Sequence, residues 1–388
     1  MGIFHQELIQ LEEAGLYRKL KELRSQTGPK VIVDGKELLM LASNDYLGYC
    51  SHPAIKQAAQ QALHTWGAGS GASRLISGNA TLCRDLEKKI ARLKGTEDAL
   101  VFSTGYMANI GLLTAVAEKG DVIYSDELNH ASIIDGCRLS RAQVEIFPHR
   151  DTGALEALLK SGNHFRRRVI VTDGVFSMDG DLAPLPRLAE LARTHAALLI
   201  VDDAHGTGVL GSRGGGTVEH FSLEDPAVII MGTMGKALGC FGAFVAGSSE
   251  LREYLINRAR TFIFTTALPP PVLAGALAAI ELIEKEPETR QALRDNVCFF
   301  SRGLHDLGFN TLDSSTQIIP ILVGDTHMAY RLASALMEEG LFIQAIRPPA
   351  VSAGASRLRI TLMATHKRED LSRALEVLEK IGKKYNFI

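Results

Sequence analysis

The chain has 388 residues, of which 46% are hydrophobic and 22% charged, and its formal net charge at pH 7 is -2. This length exceeds what one hydrophobic core usually serves, so we expect two domains of an ordinary packed protein. The near-neutral charge provides no global basic field, so we expect neither nucleic acid nor a membrane surface as a partner.

The cysteines indicate a reducing compartment. Cys50, Cys83, Cys137, Cys240 and Cys298 are widely spaced without a Cys-x-x-Cys pair, which argues against a disulfide framework or a zinc site. The N-terminus lacks the apolar stretch of an export signal, and no apolar run reaches the roughly 20 residues that span a bilayer. We therefore predict a soluble, cytoplasmic protein without a metal.

Short apolar runs alternate with segments of helical period from about residue 50 to 285. This alternation predicts an α/β fold with a mainly parallel sheet flanked by helices. The predicted strands are Ala99–Phe102, Val122–Tyr124, Val144–Phe147, Val169–Thr172, Leu198–Val201, Val228–Met231 and Ala243–Ala246.

A change of pattern separates a second domain. The triple proline Pro269–Pro271 cannot lie inside a helix, so it predicts a break before an apolar helix over Val272–Ile283. Beyond residue 286, the runs Ile318–Val323, Leu341–Ile346 and Leu358–Leu362 predict a small sheet covered on one face. The predicted organisation is an N-terminal segment 1–46, a large domain 47–285 and a small α+β C-terminal domain 286–388.

The strongest local signal is a small-residue turn, Gly232–Gly239, which follows a predicted strand and contains Lys236. Small residues let a bulky ligand approach the backbone, and a desolvated lysine loses its proton readily, as an amine must to react with an aldehyde. By itself the segment is ambiguous, because a surface lysine in a glycine-rich loop is the commoner case.

Polar residues follow two other predicted strands. Asp202 and His205 follow Leu198–Val201, where a carboxylate could keep a pyridine nitrogen protonated or, alternatively, cap a helix. Ser103–Asn109 follows Ala99–Phe102 and leads into a helix, which predicts a phosphate cradle. A nucleotide-binding turn is a less suitable interpretation, because neither G-x-G-x-x-G nor G-x-x-x-x-G-K-S/T occurs there.

One cofactor requires all three groups. Pyridoxal phosphate has a phosphate, a pyridine nitrogen and an aldehyde, which match the cradle, Asp202 and Lys236. His130 after one strand could stack on the ring, and Ser177 after another could reach the ring oxygen. The sequence therefore predicts a pyridoxal-phosphate enzyme.

The segments Ser125–Gly136, Thr172–Leu185, Val201–Gly211 and Gly232–Gly239 resemble those of the α-oxoamine synthases. The resemblance runs nearly end to end, from Asn44–Gly48 to Ser356–Leu362. It implies a fold-type-I pyridoxal-phosphate transferase with the aspartate-aminotransferase-like fold.

The resemblance also implies roles for individual residues. Lys236 bears the cofactor, Asp202 pairs with the pyridine nitrogen, and His130 and His205 complete the catalytic set. The other implied contacts are Ser177 and His205 at the ring oxygen, Gly105, Tyr106 and Thr233 at the phosphate, Thr265 and Thr266 at the partner's phosphate site, and Arg18, Asn44, Ala350 and Arg359 at the substrate. A homodimer with a shared active site follows.

Within the family, Arg74–Asn79, Ala204–Gly208 and Ala345–Pro349 resemble the biotin-pathway members. These condense L-alanine with pimeloyl-CoA or a pimeloyl-carrier protein and release carbon dioxide. Asn129–Gly136 and Gly235–Gly239 fit the glycine C-acetyltransferases equally well, and a silent pyridoxal-phosphate carrier or an aminotransferase are further alternatives. Ala350 and Ser352 stand where the biotin-pathway members usually carry threonine and proline.

Overall fold

The computed structural model describes residues 2–162, 165–223, 225 and 227–388. The chain divides into two compact units. The larger unit comprises Tyr49–Ser177 and Leu182–Arg290, and the smaller comprises Met1–Gly48, Met178–Asp181 and Gln291–Ile388.

Helices and strands alternate along most of the chain. In chain order they are α1 His5–Glu13, β1 Lys30–Val33, β2 Lys36–Met40, α2 Pro53–Trp66, α3 Thr81–Lys94, β3 Asp98–Phe102, α4 Gly105–Val116, β4 Val122–Asp126, α5 Ala131–Ser140, β5 Gln143–Phe147, α6 Thr152–Ser161, β6 Arg168–Asp173, α7 Leu185–Thr194, β7 Leu198–Asp202, α8 Thr217–His220, β8 Val228–Thr233, β9 Ala243–Gly247, α9 Ser249–Arg258, α10 Arg260–Ile263, α11 Pro270–Lys285, α12 Pro287–Asp306, β10 Ile318–Gly324, α13 Thr326–Glu338, β11 Leu341–Phe342, β12 Gln344–Ile346, β13 Ser356–Thr361 and α14 Arg368–Lys384.

A seven-stranded sheet organises the larger unit, in the order β3-β9-β8-β7-β6-β4-β5. The pairs from β8 to β5 are parallel, and β9 alone runs antiparallel to both of its neighbours, β8 and β3. The predicted α/β class and mainly parallel sheet are therefore confirmed, and each of the seven predicted strands lies within an observed one.

Apolar side chains of α4 and α5 bury one face of this sheet. Leu112, Leu113 and Ile133 on the helices share a core with Val171 and Ile200 on the strands. Because these strands are covered by packed residues, they are continuous apolar runs rather than alternating ones. The packing holds the start of each helix at a fixed place beside the strand that precedes it.

The smaller unit contains two three-stranded sheets. The hairpin β1–β2 turns at Asp34-Gly35, where both residues have positive φ as a tight hairpin requires, and β11 adds to it in parallel. The second sheet has the order β10-β13-β12 and is antiparallel. Helix α13 packs against all three of its strands and α14 packs against α13, and Leu332 and Leu371 on these helices are buried.

Two local predictions were wrong. Leu341–Ile346 is not one strand, because the chain leaves β11 at the buried Ile343 to join the other sheet as β12. An apolar run alone does not reveal such a change of partner. The helix predicted to begin at Val272 begins at Pro270, because the first helical turn needs no backbone N–H donors and tolerates proline.

Within the described part of the chain, none of the helices combines the length and apolar character that crossing a bilayer requires.

Candidate active site

The carboxyl ends of four parallel strands in the larger unit carry polar residues. β4 ends at Asp126, β6 at Asp173, β7 at Asp202 and β8 at Thr233. Asp173 and Asp202 are neighbours in register on adjacent strands. Since the ends of parallel strands meet at one edge of a sheet, these residues lie together, at the edge where open α/β sheets bind ligands.

Lys236 follows β8 in a tight turn beside His205. Its Nζ lies 2.8 Å from Nε2 of His205, which follows β7 and is 7% exposed. The turn closes through the Gly239 N–H, which donates to the carbonyl of Lys236. Gly239 has φ +62°, and a Cβ there would lie 2.3 Å from the backbone nitrogen of Cys50. Only glycine therefore fits the turn that presents the amine.

Asp202 is buried, and both of its carboxylate oxygens accept hydrogen bonds. The Ala204 N–H donates to one oxygen at 3.0 Å, and the Asn109 amide donates to the other at 2.7 Å. Carboxylates that accept such bonds are held in one orientation. Asp202 is therefore a fixed acceptor at the sheet edge.

His130 caps α5 and forms hydrogen bonds with Asp173 and Ser132. Its backbone N–H donates to Asp173 at 2.9 Å, and its Nδ1 lies 2.8 Å from the Ser132 hydroxyl. The surrounding protein atoms lower the pKa of His130, although part of the ring remains exposed; Asp202 opposes this shift and Lys236 adds to it. A neutral imidazole near pH 7 follows.

The Asp173 carboxyl is buried beside this histidine. Burial raises its pKa well above the ordinary range, and the charge of neighbouring Asp202 raises it further. Two adjacent carboxylates disfavour joint ionisation, and Asp173 is the one of the pair whose pKa rises.

The start of α4 provides backbone donors. Thr104 is its N-cap, with its hydroxyl accepting from the Met107 N–H at 3.1 Å. The first N–H groups of a helix have no acceptor within it, so those of Gly105 and Tyr106 are suited to an anion. A Cβ at Gly105 would meet only Met231, at 3.9 Å, so the approach is open. The Tyr106 hydroxyl donates to Asp135.

The remaining residues predicted at the cofactor lie in the same unit. The Thr233 hydroxyl donates to the Gly242 carbonyl at 3.0 Å, and Ser177 follows β6. Thr265 and Thr266 line, with Ser103, a cavity of about 20 Å³, and the Ser103 hydroxyl lies 3.5 Å from the Thr266 carbonyl of the same chain.

The predicted substrate residues belong to the smaller unit. Arg359 is 8% exposed and donates to the Asn44 side chain at 3.2 Å. The Tyr46 hydroxyl donates to the same Asn44 oxygen at 3.1 Å. Arg359 and Asn44 are therefore brought together, whereas Arg18 and Ala350 lie exposed in irregular segments.

Sequence reasoning did not assign roles to Asn109, Ser132 and Asp173. The signal for Asn109 is a polar residue in the apolar helix α4, whose neighbours Ala108 and Leu112 are fully buried. Such a residue requires a polar partner inside the protein. The sequence does not reveal that this partner is Asp202, 93 positions away.

The groups at this edge fit pyridoxal phosphate. The cofactor needs an amine for its aldehyde, an ionised carboxylate for its pyridine nitrogen and donors for its phosphate. Lys236, the buried Asp202 and the start of α4 supply groups of these three kinds.

Comparison with known proteins gives the same assignment. Residues 36–378 match the family of class I and II aminotransferases. The chain is 52% identical over 385 residues, 98% of each chain, to the 8-amino-7-oxononanoate synthase of Geobacter sulfurreducens. It is 50% identical to that of Citrifermentans bemidjiense over 100% of both chains.

The chain belongs to the 8-amino-7-oxononanoate synthases.

Solved structures agree with this membership. The serine palmitoyltransferase of Sphingomonas wittichii matches with a TM-score of 0.94 and 32% identity over 100% of both chains. The 8-amino-7-oxononanoate synthase of Francisella tularensis matches with a TM-score of 0.79 and 30% identity, covering 90% of this chain and 99% of that one. The chain is thus a pyridoxal-phosphate-dependent acyltransferase of biotin biosynthesis, and the glycine C-acetyltransferase alternative is not favoured.

Proposed function

We propose that the protein condenses L-alanine with a pimeloyl thioester to give 8-amino-7-oxononanoate, carbon dioxide and the free thiol. The observation that carries the proposal is the Lys236 amine 2.8 Å from His205, at the sheet edge where Asp202 is buried and held by donors. About 50% identity to proteins named for this product supports the substrate pair.

The bonds balance without a further reactant. A bond forms between Cα of alanine and the thioester carbonyl carbon, and the C–S bond breaks, so the thiol leaves. The bond from Cα to the alanine carboxyl carbon then breaks and releases carbon dioxide. The Cα proton removed at the start is replaced by one proton at the end.

The cofactor supplies an electron sink for the charge that develops at Cα. Lys236 would hold its aldehyde carbon, Asp202 its pyridine nitrogen and His130 the face of its ring. Ser177 and His205 would bind the ring oxygen. Gly105, Tyr106 and Thr233 would bind the phosphate, with Thr265 and Thr266 of a second subunit.

Lys236 is the base in this proposal. Once the substrate amine takes its place, its Nζ removes the Cα proton of alanine, and the adjacent His205 accepts or returns that proton. His130 is the second candidate donor for the final protonation. Arg359 binds the substrate carboxylate, because its planar guanidinium can make two parallel bonds to it.

The wider setting is also proposed. The shared phosphate site implies a homodimer, and Leu75, Ile76 and Phe264 are exposed large apolar residues suited to burial between subunits. No disulfide joins the five cysteines of the described chain, which fits a cytoplasmic location. Arg18, Asn44 and Ala350 are proposed substrate contacts.

The test measures thiol release and product mass with purified holoenzyme. L-alanine is supplied with pimeloyl-CoA or a pimeloyl-carrier protein, and glycine with acetyl-CoA is the competing pair. Faster turnover of either alanine pair supports the proposal, and the comparison of carriers identifies the acyl donor. Preference for glycine and acetyl-CoA would overturn it, and amino-group exchange without thiol release would indicate an aminotransferase.

A further inference from the structure

A chain of hydrogen bonds connects Asp202 to the ring of His130. The Asn109 amide nitrogen lies 2.7 Å from Asp202 and 2.8 Å from the Ser132 hydroxyl oxygen. The same hydroxyl oxygen lies 2.8 Å from Nδ1 of His130. Asn109, Ser132 and Asp202 are each at most 4% exposed, so water does not compete for the two bonds that join these three residues.

The chemistry of the groups fixes the direction of each bond. An ionised carboxylate only accepts, so the Asn109 amide group must donate to Asp202. Its second N–H donates to Ser132, which leaves the hydroxyl proton of Ser132 for His130. The Ser132 backbone N–H also donates to the same Nδ1, at 3.2 Å. Nδ1 of His130 is therefore an acceptor, and the proton of the neutral ring lies on Nε2.

The orientation of Asn109 is also determined. Its side-chain oxygen is buried and has no hydrogen-bond partner among the described residues. Rotating the amide by half a turn would bring that oxygen against the Asp202 carboxylate and replace an attraction with a repulsion. The structure leaves one acceptor unsatisfied, which costs free energy, while both donors are used. An unsatisfied oxygen of this kind is typical of an amide side chain whose role is to donate hydrogen bonds through its N–H groups.

Helix capping does not account for the Ser132 hydroxyl. His130 caps α5 by accepting from the backbone N–H of Ser132, a bond that any residue at position 132 could donate. The side chain is not required for the cap. It adds only the connection between Asn109 and the imidazole.

We propose that Asn109 and Ser132 are positioning residues that hold His130 in the tautomer protonated at Nε2 and tie its ring to the Asp202 carboxylate. The proposal rests on the roles given above to Asp202 and His130. A fixed tautomer presents the same Nε2–H donor in every turnover, while Asn109 restrains the carboxylate from moving toward the ring.

The test uses the holoenzyme with two substitutions and two matched controls. Ser132→Ala removes the hydroxyl, and Asn109→Leu removes both donors at nearly constant volume. Ser140→Ala is the control for the first, because Ser140 is a buried serine at the other end of α5. Thr114→Val is the control for the second, because Thr114 lies on α4 and bonds only to the carbonyls of its own helix. Ser132→Thr retains the hydroxyl.

The first readout is the protonation of each His130 ring nitrogen, measured by NMR of ¹⁵N-histidine-labelled holoenzyme and identified with His130→Asn. The wild type, both controls and Ser132→Thr should show a protonated Nε2 and an unprotonated Nδ1. Ser132→Ala, in which only the backbone N–H still donates to Nδ1, and Asn109→Leu, in which the Ser132 hydroxyl is free to accept, should each show an increased population protonated at Nδ1. A wild-type Nδ1 that carries the proton would overturn the proposal even if no variant folds.

The second readout is the division between kcat and KM. Loss of a buried hydrogen bond at a positioning residue should lower kcat by about 10-fold and change either KM by less than about 2-fold. An unchanged tautomer in both variants, or an equal effect of the controls, contradicts the proposal. Absence of condensation by the wild type with all substrate pairs would instead defeat the proposed function, and the NMR result would still decide the tautomer.

Discussion

Nζ of Lys236 and Nε2 of His205 are 2.8 Å apart, although the two residues follow different strands, β8 and β7. The parallel pairing of these strands aligns Asp202 with Met231 and so brings the two following turns together. A fixed contact between an amine and an imidazole provides a short path for a proton. This geometry is suited to the proton transfer proposed for Lys236 and His205.

Replacing Lys236 with alanine should abolish turnover without unfolding the protein. The side chain is the amine expected to hold the cofactor and the base expected to take the Cα proton, so we expect a loss of about 1000-fold or more. Thiol release measures the activity, and the visible absorption of the bound cofactor reports the loss of the covalent bond. Lys119→Ala, at an exposed loop lysine, is the control. Appreciable remaining activity would show that another group is the base.

Replacing Arg359 with lysine should raise KM for the amino acid selectively. Lysine keeps the positive charge but loses the planar pair of donors, and it also loses the bond to Asn44. We expect an increase of about 10- to 100-fold in KM for L-alanine, with KM for the acyl donor nearly unchanged. Steady-state kinetics with each substrate varied in turn provide the measurement.

Arg373→Lys is the control, because Arg373 lies exposed on α14 and has no predicted substrate contact. This variant should leave KM for L-alanine and KM for the acyl donor unchanged. If Arg359→Lys raised KM for the acyl donor instead, Arg359 would belong to the thioester subsite.

Replacing Lys94 with methionine should destabilise the larger unit. Lys94 and Asp203 have fully buried side chains 2.5 Å apart, and Lys94 also donates to Thr207 and to the Gly215 carbonyl. Burial lowers the pKa of Lys94, which Asp203 opposes. Removing the lysine leaves Asp203 buried without its counter-charge, a loss of about 3 to 5 kcal/mol in unfolding free energy.

Urea denaturation followed by fluorescence measures this loss. Lys88→Met is the control, because Lys88 lies on the exposed side of the same helix, α3. Equal midpoints for the two variants would show that the buried pair contributes nothing net to stability.

The sequence predicts the catalytic edge because period and strand order are local properties. Each of Asp202, His205 and Lys236 follows an apolar run that must be a strand, and parallel strands place such residues at one edge. Their proximity therefore follows from the fold class alone, before any contact is known.

The supporting contacts could not be predicted in the same way. Asn109 reaches Asp202, and Lys94 reaches Asp203, only through the packing of α4 and α3 against the sheet. Helical period predicts which face of α3 is apolar, but not which buried position can hold a charge. Such pairs depend on side-chain positions within the packed core, which a single sequence does not specify.

A buried histidine in the smaller unit should make stability fall in mild acid. His366 accepts from the Met363 N–H at its Nδ1 and lies 2.9 Å from the Met40 carbonyl at its Nε2, so both nitrogens are used by the neutral ring. Burial lowers its pKa from 6.5 to about 4. Its proton is therefore bound by the unfolded chain at a higher pH than by the folded protein.

The sign of the effect follows from this difference. Above pH 6.5 neither state is protonated and the contribution to stability is complete; as pH falls from 6.5 toward 4 the unfolded state gains the proton first. The full loss is about 3 kcal/mol in unfolding free energy. The measurement compares urea midpoints at pH 7.5 and 5 for the wild type and His366→Gln, which does not titrate. The variant should lose less stability than the wild type over this interval, and an equal loss would show that His366 titrates normally in the folded protein.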